Sequence, residues 1–163
     1  FVEELSTEIQ EQLTIRLYPT DYGCDQELRW RERFGNIFLD LGGTVLHKKV
    51  SRDRLVVSTY NSTTYLESLS ANIPTVMFWS SGYGDVRQSA MVSLQMLESV
   101  GIFHTTPIGA ARHVSSIWDD VHGWWTSKAV TEAVDTFRRE YCHLPRRLSK
   151  IVATALDEPI AAK

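Results

Sequence analysis

Residues 55–79 read LVVSTYNSTTYLESLSANIPTVMFW, and this stretch decides the fold class. Leu55, Val56 and Val57 form an apolar run of the length of a buried strand. A loop of small hydroxyl and amide residues follows: Ser58, Thr59, Asn61, Ser62, Thr63 and Thr64. Tyr65, Leu66, Leu69 and Ala71 then recur at helical spacing, and beyond Asn72 and Pro74 a second apolar run covers 75–79. The whole reads as one β-α-β unit. Parallel strands joined by a helix put the first loop at the carboxyl edge of a sheet. A helix start facing that edge offers unpaired backbone N–H groups and a partial positive charge, which suits a phosphate.

The flanks repeat the alternation. Val2, Leu5, Ile9 and Leu13 fall on one face of an expected opening helix, and 14–17 alternates into a short strand that stops at Tyr18-Pro19. The polar and aromatic stretch 20–35 contains an expected helix over 26–34. A second strand covers 36–41 and ends at Gly42-Gly43, after which Thr44 caps an expected short helix through Leu46 and Val50. Past the central unit, Gly82 and Gly84 interrupt the chain before a helix over 86–99, a last strand over 102–104, and a helix over 107–118. Helices over 128–141 and 144–156 close the chain. Strands alternating with helices of this length predict a Rossmann-like α/β fold, a doubly wound, mostly parallel sheet with extra carboxyl-terminal helices. The chain opens on Phe1 directly in a helical pattern, so we read residues 1–163 as one domain and as a carboxyl-terminal piece of a longer two-domain polypeptide.

Composition narrows the function classes. The 163 residues suffice for a real core, and a hydrophobic share of 43% with 23% charged residues is ordinary for a globular chain. A net charge of -3 and a pI near 6.0 give no sign of a nucleic-acid or membrane-surface partner. No apolar run approaches the ~20 residues needed to cross a bilayer. Two cysteines, Cys24 and Cys142, make neither a disulfide framework nor a metal site, which points to a reducing, cytoplasmic compartment. Five histidines (His47, His104, His113, His122 and His143) lack ligand spacing, so no metal is assigned. Trp118, Trp124 and Trp125 are expected to pack the carboxyl-terminal helices on the core. No P-loop, GxGxxG or G-x-S-x-G elbow occurs.

The candidate site therefore lies at the carboxyl rim. Within 58–64 every residue but Tyr60 has a short side chain that either caps a helix or donates to an oxyanion. Ordinary N-capping accounts for the same composition. Thr64-Tyr65-Leu66-Glu67 fits a capping box, in which Glu67 serves the helix backbone; alternatively its carboxylate accepts from a ribose diol. From the residues alone the cap is the better account. Arg16, before Tyr18 and Pro19, has the fork geometry to meet a phosphate, or it is a plain surface arginine at a strand end. Asp40 is the weakest rim candidate.

The strings VVSTYNSTTYLESLSANIPTVMFW, RLYP and SIWDDVHGWW together resemble a bacterial transferase family of surface-carbohydrate synthesis. More broadly they resemble the carboxyl-terminal, donor-binding half of GT-B-type glycosyltransferases and their sialyltransferase and Kdo-transferase relatives. The resemblance implies a Rossmann-like domain that holds a nucleotide-sugar donor. Tyr18 and Pro19 would stand in the family's His-Pro motif, with tyrosine in place of histidine. Ser58, Thr59, Asn61, Ser62, Thr63 and Thr64 would stand in its Ser/Thr-rich phosphate loop, and Glu67 at a ribose or base contact. It also implies a glycan or lipid-linked acceptor, reached through an amino-terminal half that supplies the catalytic base. That half is not in this chain, so transfer by the chain alone is not expected. The donor is a substrate and no cofactor is implied. The implied setting is the cytoplasm, with the parent protein free to sit at the periphery of the inner membrane. Two other readings stay open: a sugar-nucleotide epimerase or phosphoglycerol-type transferase domain, and a non-catalytic Rossmann-like docking domain.

Overall fold

The computed structural model of the chain describes residues 1–42, 53–80 and 86–142. The expected helix after Thr44, the Gly82 and Gly84 break, and the helix over 144–156 lie outside the described residues. The opening segment differs from expectation. A 3-10 turn (Val2–Glu4) stops at Leu5, whose backbone is extended, and a separate helix α1 (Thr7–Glu11) starts where the Ser6 hydroxyl accepts from the Ile9 N–H. A serine cap competes with helix continuation, so one expected helix becomes two short ones. The apolar face survives the break: Val2, Leu5 and Ile9 are buried.

Strand β1 (Thr14–Arg16) pairs in parallel with β2 (Phe38–Asp40), with Thr14 opposite Phe38 and Arg16 opposite Asp40. Helix α2 (Gln26–Phe34) lies between them in sequence and buries none of its residues. A second parallel ladder runs β3-β4-β5, where β3 is Val56–Ser58, β4 is Thr75–Phe78 and β5 is Phe103–His104. Val57 stands opposite Val76, and Met77 opposite Phe103. Helix α3 (Thr63–Ser70) crosses from β3 to β4, and α4 (Gln88–Ser99) crosses from β4 to β5. Both crossovers turn on a left-handed residue, Asn72 at φ 57° and Gly101 at φ 80°.

Period-two alternation along β4 sorts the core onto two faces. Met77 and Trp79 pack with Leu69 of α3, Leu94 and Leu97 of α4, and Val134 and Phe137 of α7 (Lys128–Tyr141). Val76 packs on the other side with Ala110, Ala111 and Val114 of α5 (Pro107–Ile117) and with Leu5 and Ile9. Helices thus cover both faces of a parallel sheet, the Rossmann-like α/β arrangement read from the sequence. Leu13, just before β1, and Leu55, just before β3, both pack on this same second cluster.

A 3-10 turn (Trp118–Asp120) and helix α6 (Val121–Thr126) lead from α5 to α7. Trp125 is buried and Trp118 and Trp124 are half-buried against the core clusters, as expected of them. Among the described residues no helix is long and apolar enough to cross a membrane.

Candidate functional site

The carboxyl ends of β1 and β2 are tied together before either loop begins. The Arg16 Nη1 lies 3.1 Å from the Asp40 Oδ2, and the Leu17 N–H donates to the Asp40 carbonyl at 2.9 Å. Asp40 Oδ1 also accepts the Gly42 N–H at 3.1 Å. Arg16 is therefore a charge partner within the rim and not a free phosphate fork. Next to it, Pro19 fits against Gly42: a Cβ on that glycine, whose φ is 90°, would stand 3.2 Å from the Pro19 Cγ. The loops after β1 and β2 pack directly on one another.

Tyr18 projects from this loop and is half exposed. Its ring centroid lies 5.7 Å from that of Tyr22. The neighbouring Tyr22 phenol, first through hydrogen bonding and then through its charge, is the main cause that holds the Tyr18 phenol above the ordinary tyrosine range.

The turn after β3 divides into an inner and an outer part. Ser58 is buried, and its hydroxyl donates to the Tyr60 carbonyl at 3.4 Å, so it shapes the turn. Thr59, Tyr60, Asn61 and Thr63 are exposed, while Ser62 and Thr64 are half-buried. Ser62 is the N-cap of α3, yet its side chain makes no capping hydrogen bond. The first-turn N–H groups of α3 are left without a side-chain cap at the mouth of the turn. The Tyr65 hydroxyl donates to Asn61 Oδ1 at 3.2 Å, while its ring packs 5.4 Å from that of Trp79. Loss of hydration, then the charges of Cys142 and Tyr141, raise the Tyr65 phenol above its ordinary range. It stays protonated and holds Asn61 as a donor.

Glu67 does not close a capping box. With Ser62 as N-cap, the box position three residues on is Tyr65, and Glu67 falls a half-turn further along. Its side chain is exposed. At the far side of the rim, His104 ends β5 with its Nε2 2.9 Å from the Gly101 carbonyl, and Thr106 caps α5 through the Gly109 N–H at 3.1 Å. Among the described residues no group of three His, Cys, Asp or Glu side chains stands ready for a metal ion.

Tyr22 was not singled out from the sequence, Tyr60 was set apart within 58–64 for its long side chain, and Tyr65 was read only as a helix-face residue; periodicity carries no signal of the exposure of the first two or of the Tyr65–Asn61 bond.

The model of a family described as LIC12162 family transferase matches residues 1–154. The chain belongs to that family. No curated protein and no solved structure matches it. In parallel α/β sheets ligands bind outside the carboxyl ends of the strands. The solvent-open turn 58–64 of this family member lies at that edge.

Proposed function

We propose that the chain is the nucleotide-sugar-binding domain of a glycosyltransferase of surface-polysaccharide synthesis. The observation that carries this reading is the open turn at the carboxyl end of β3. It brings the Ser62 and Thr63 hydroxyls and the uncapped amino end of α3 to one solvent-facing spot. A diphosphate placed there accepts from both hydroxyls and from first-turn N–H groups, with the helix dipole adding a favourable field. Asn61 stands beside it, fixed by Tyr65, and Thr59 and Thr64 complete the wall.

The chemistry asked of this domain is electrostatic. As the bond from the sugar to the phosphate lengthens, negative charge gathers on the departing diphosphate. Fixed donors aimed at that charge stabilise the transition state more than the ground state. Glu67, on the next turn of α3, accepts from the ribose diol. Ser58 and the Arg16–Asp40 pair hold the strand ends from which the loops depart. The acceptor, a glycan or a lipid-linked sugar, enters opposite the donor.

Calorimetric titration with CMP, CDP and UDP tests this. Ser62→Ala or Thr63→Ala is expected to weaken binding by about 1–2 kcal/mol each. Wild-type affinity in both variants overturns the assignment.

A further inference from the structure

Helix α2 crosses from β1 to β2 without placing its aromatic side chains in either core cluster. Trp30 and Phe34, one turn apart, lie ring against ring at 5.4 Å with planes tilted by 32°, and both stay half-buried. An open groove of about 550 Å³ lies beside them, lined also by Gln26, Arg29, Glu32 and Arg33. That volume falls within the range of small-ligand sites. The Arg33 Nε donates to Glu3 Oε1 at 2.7 Å, and Glu27 pairs with Arg31 at 2.7 Å, so those charges are already offset. Among the described residues neither Arg29 nor Glu32 has an ion-pair partner. The two unpaired charges of the groove are thus opposite in sign and sit beside an aromatic pair.

We infer that the α2 groove binds a neutral sugar ring of a glycan. An aromatic face carries partial negative charge and receives the weakly positive C–H face of a sugar ring. The hydroxyls around that ring each donate and accept, so the ligand calls for donors and acceptors side by side. Arg29 supplies only donors, the Glu32 carboxylate only acceptors, and the Gln26 amide both. Hydrogen bonds to charged groups are the stronger kind, which suits a ligand that brings no charge of its own. An anion would gain at Arg29 and lose at Glu32. A wholly apolar ligand would desolvate both charges without pairing either. None of the lining residues belongs to the turn 58–64, so this site stands on α2 alone and does not depend on the phosphate turn.

Trisaccharides of glucose, galactose, mannose and N-acetylglucosamine are titrated into the nitrogen-15-labelled chain, with the Trp30 indole N–H signal, assigned by Trp30→Phe, as the readout. At least one is expected to move that signal to saturation. Arg29→Ala and Glu32→Ala, both at exposed side chains, should keep the fold and each weaken that sugar about tenfold. Inorganic pyrophosphate should not displace it, and a glucuronate counterpart of the same sugar should bind no tighter. A Trp30 signal that none of the four sugars moves overturns the site. So does undiminished affinity in both alanine variants, or displacement by pyrophosphate, which would put the sugar in the phosphate turn. A tenfold preference for the glucuronate form overturns the neutral ligand.

Discussion

The Arg16 guanidinium meets the Asp40 carboxylate at 3.1 Å, closing β1 onto β2 where the two chains leave the sheet. The Asp40 side chain is only 10% exposed and that of Arg16 28%, so the pair is shielded well beyond an ordinary surface bridge. Asp40 also accepts from the Gly42 N–H. Asp40→Ala, which removes both bonds, should cost about 2–3 kcal/mol, and Arg16→Ala about 1–2. Urea unfolding of the two variants measures this, and a smaller loss for Asp40→Ala than for Arg16→Ala would contradict it.

Gly101 ends α4 with a φ of 80°, and a Cβ built there would fall 2.3 Å from the His113 Cε1. Gly101→Ala therefore meets two obstacles, a left-handed backbone and a ring with little room to retreat. We expect a loss of about 2–4 kcal/mol in thermal or chemical unfolding. Adding His113→Ala should remove the steric part and leave roughly 1 kcal/mol of backbone strain. Full recovery in the double variant would show that the backbone contributes nothing.

His113 carries a buried Nε2 that has no hydrogen-bond partner. Loss of hydration, then the neighbouring charge of His104, lower its pKa to about 4. The His104 pKa is lowered as well, by loss of hydration, against the opposing pull of the Gly101 carbonyl and Glu98. The unfolded chain takes up a proton at His113 near pH 6.5, and the folded one does not until about 4. Stability should thus be full above pH 6.5, decline as the pH falls toward 4, and then level off. With the ring only half-buried the loss is on the order of 1 kcal/mol. His113→Phe should shrink the difference in unfolding free energy between pH 7 and pH 5; an unchanged pH profile would count against this account.

Tyr65 links the core to the site. Its ring lies 6.4 Å from that of Phe137 in α7, while its hydroxyl reaches Asn61. Tyr65→Phe keeps the ring and deletes the tether. Stability should change by less than about 1 kcal/mol, while pyrophosphate affinity falls several-fold as Asn61 loses its restraint. Circular-dichroism melts alongside calorimetry separate the two effects. An equal drop in both would make Tyr65 a packing residue only.

The central β-α-β unit was legible because its apolar runs are fully consistent with the two buried strands. Thr75, Val76 and Met77 are wholly buried, and the loop before α3 carries short polar residues throughout. Details that depend on a single hydrogen bond were not. The Ser6 cap splits the opening helix, and helix α6 forms because the Asp120 Oδ1 accepts from the Gly123 N–H at 2.7 Å, at a glycine that reads as a breaker. Glu67 was placed in a capping box because the start of α3 was read two residues late, with Thr64 and not Ser62 as its cap. Arg16 and Asp40 were each visible as rim residues, but 24 residues apart nothing in the sequence says that they pair. The Tyr22 and Tyr60 rings escaped for the same reason: exposure is a property of packing, and periodicity carries no record of it.

Two neighbouring indoles fasten the opposite rim. Trp124 donates to the Val100 carbonyl at 3.1 Å and Trp125 to the Asn72 carbonyl at 3.3 Å, just past the ends of α4 and α3. They sit where β4 and β5 begin, away from the turn that would receive a donor, whereas Trp79 lies beside Tyr65 at the other end of β4. One chromophore type is thus distributed between two ends of the sheet. Of the chain's five tryptophans these three mark the two ends, so single replacements by phenylalanine assign their emission: the share of Trp124 and Trp125 reports cohesion of the body, and that of Trp79, packed on Tyr65, reports the end from which the turn departs.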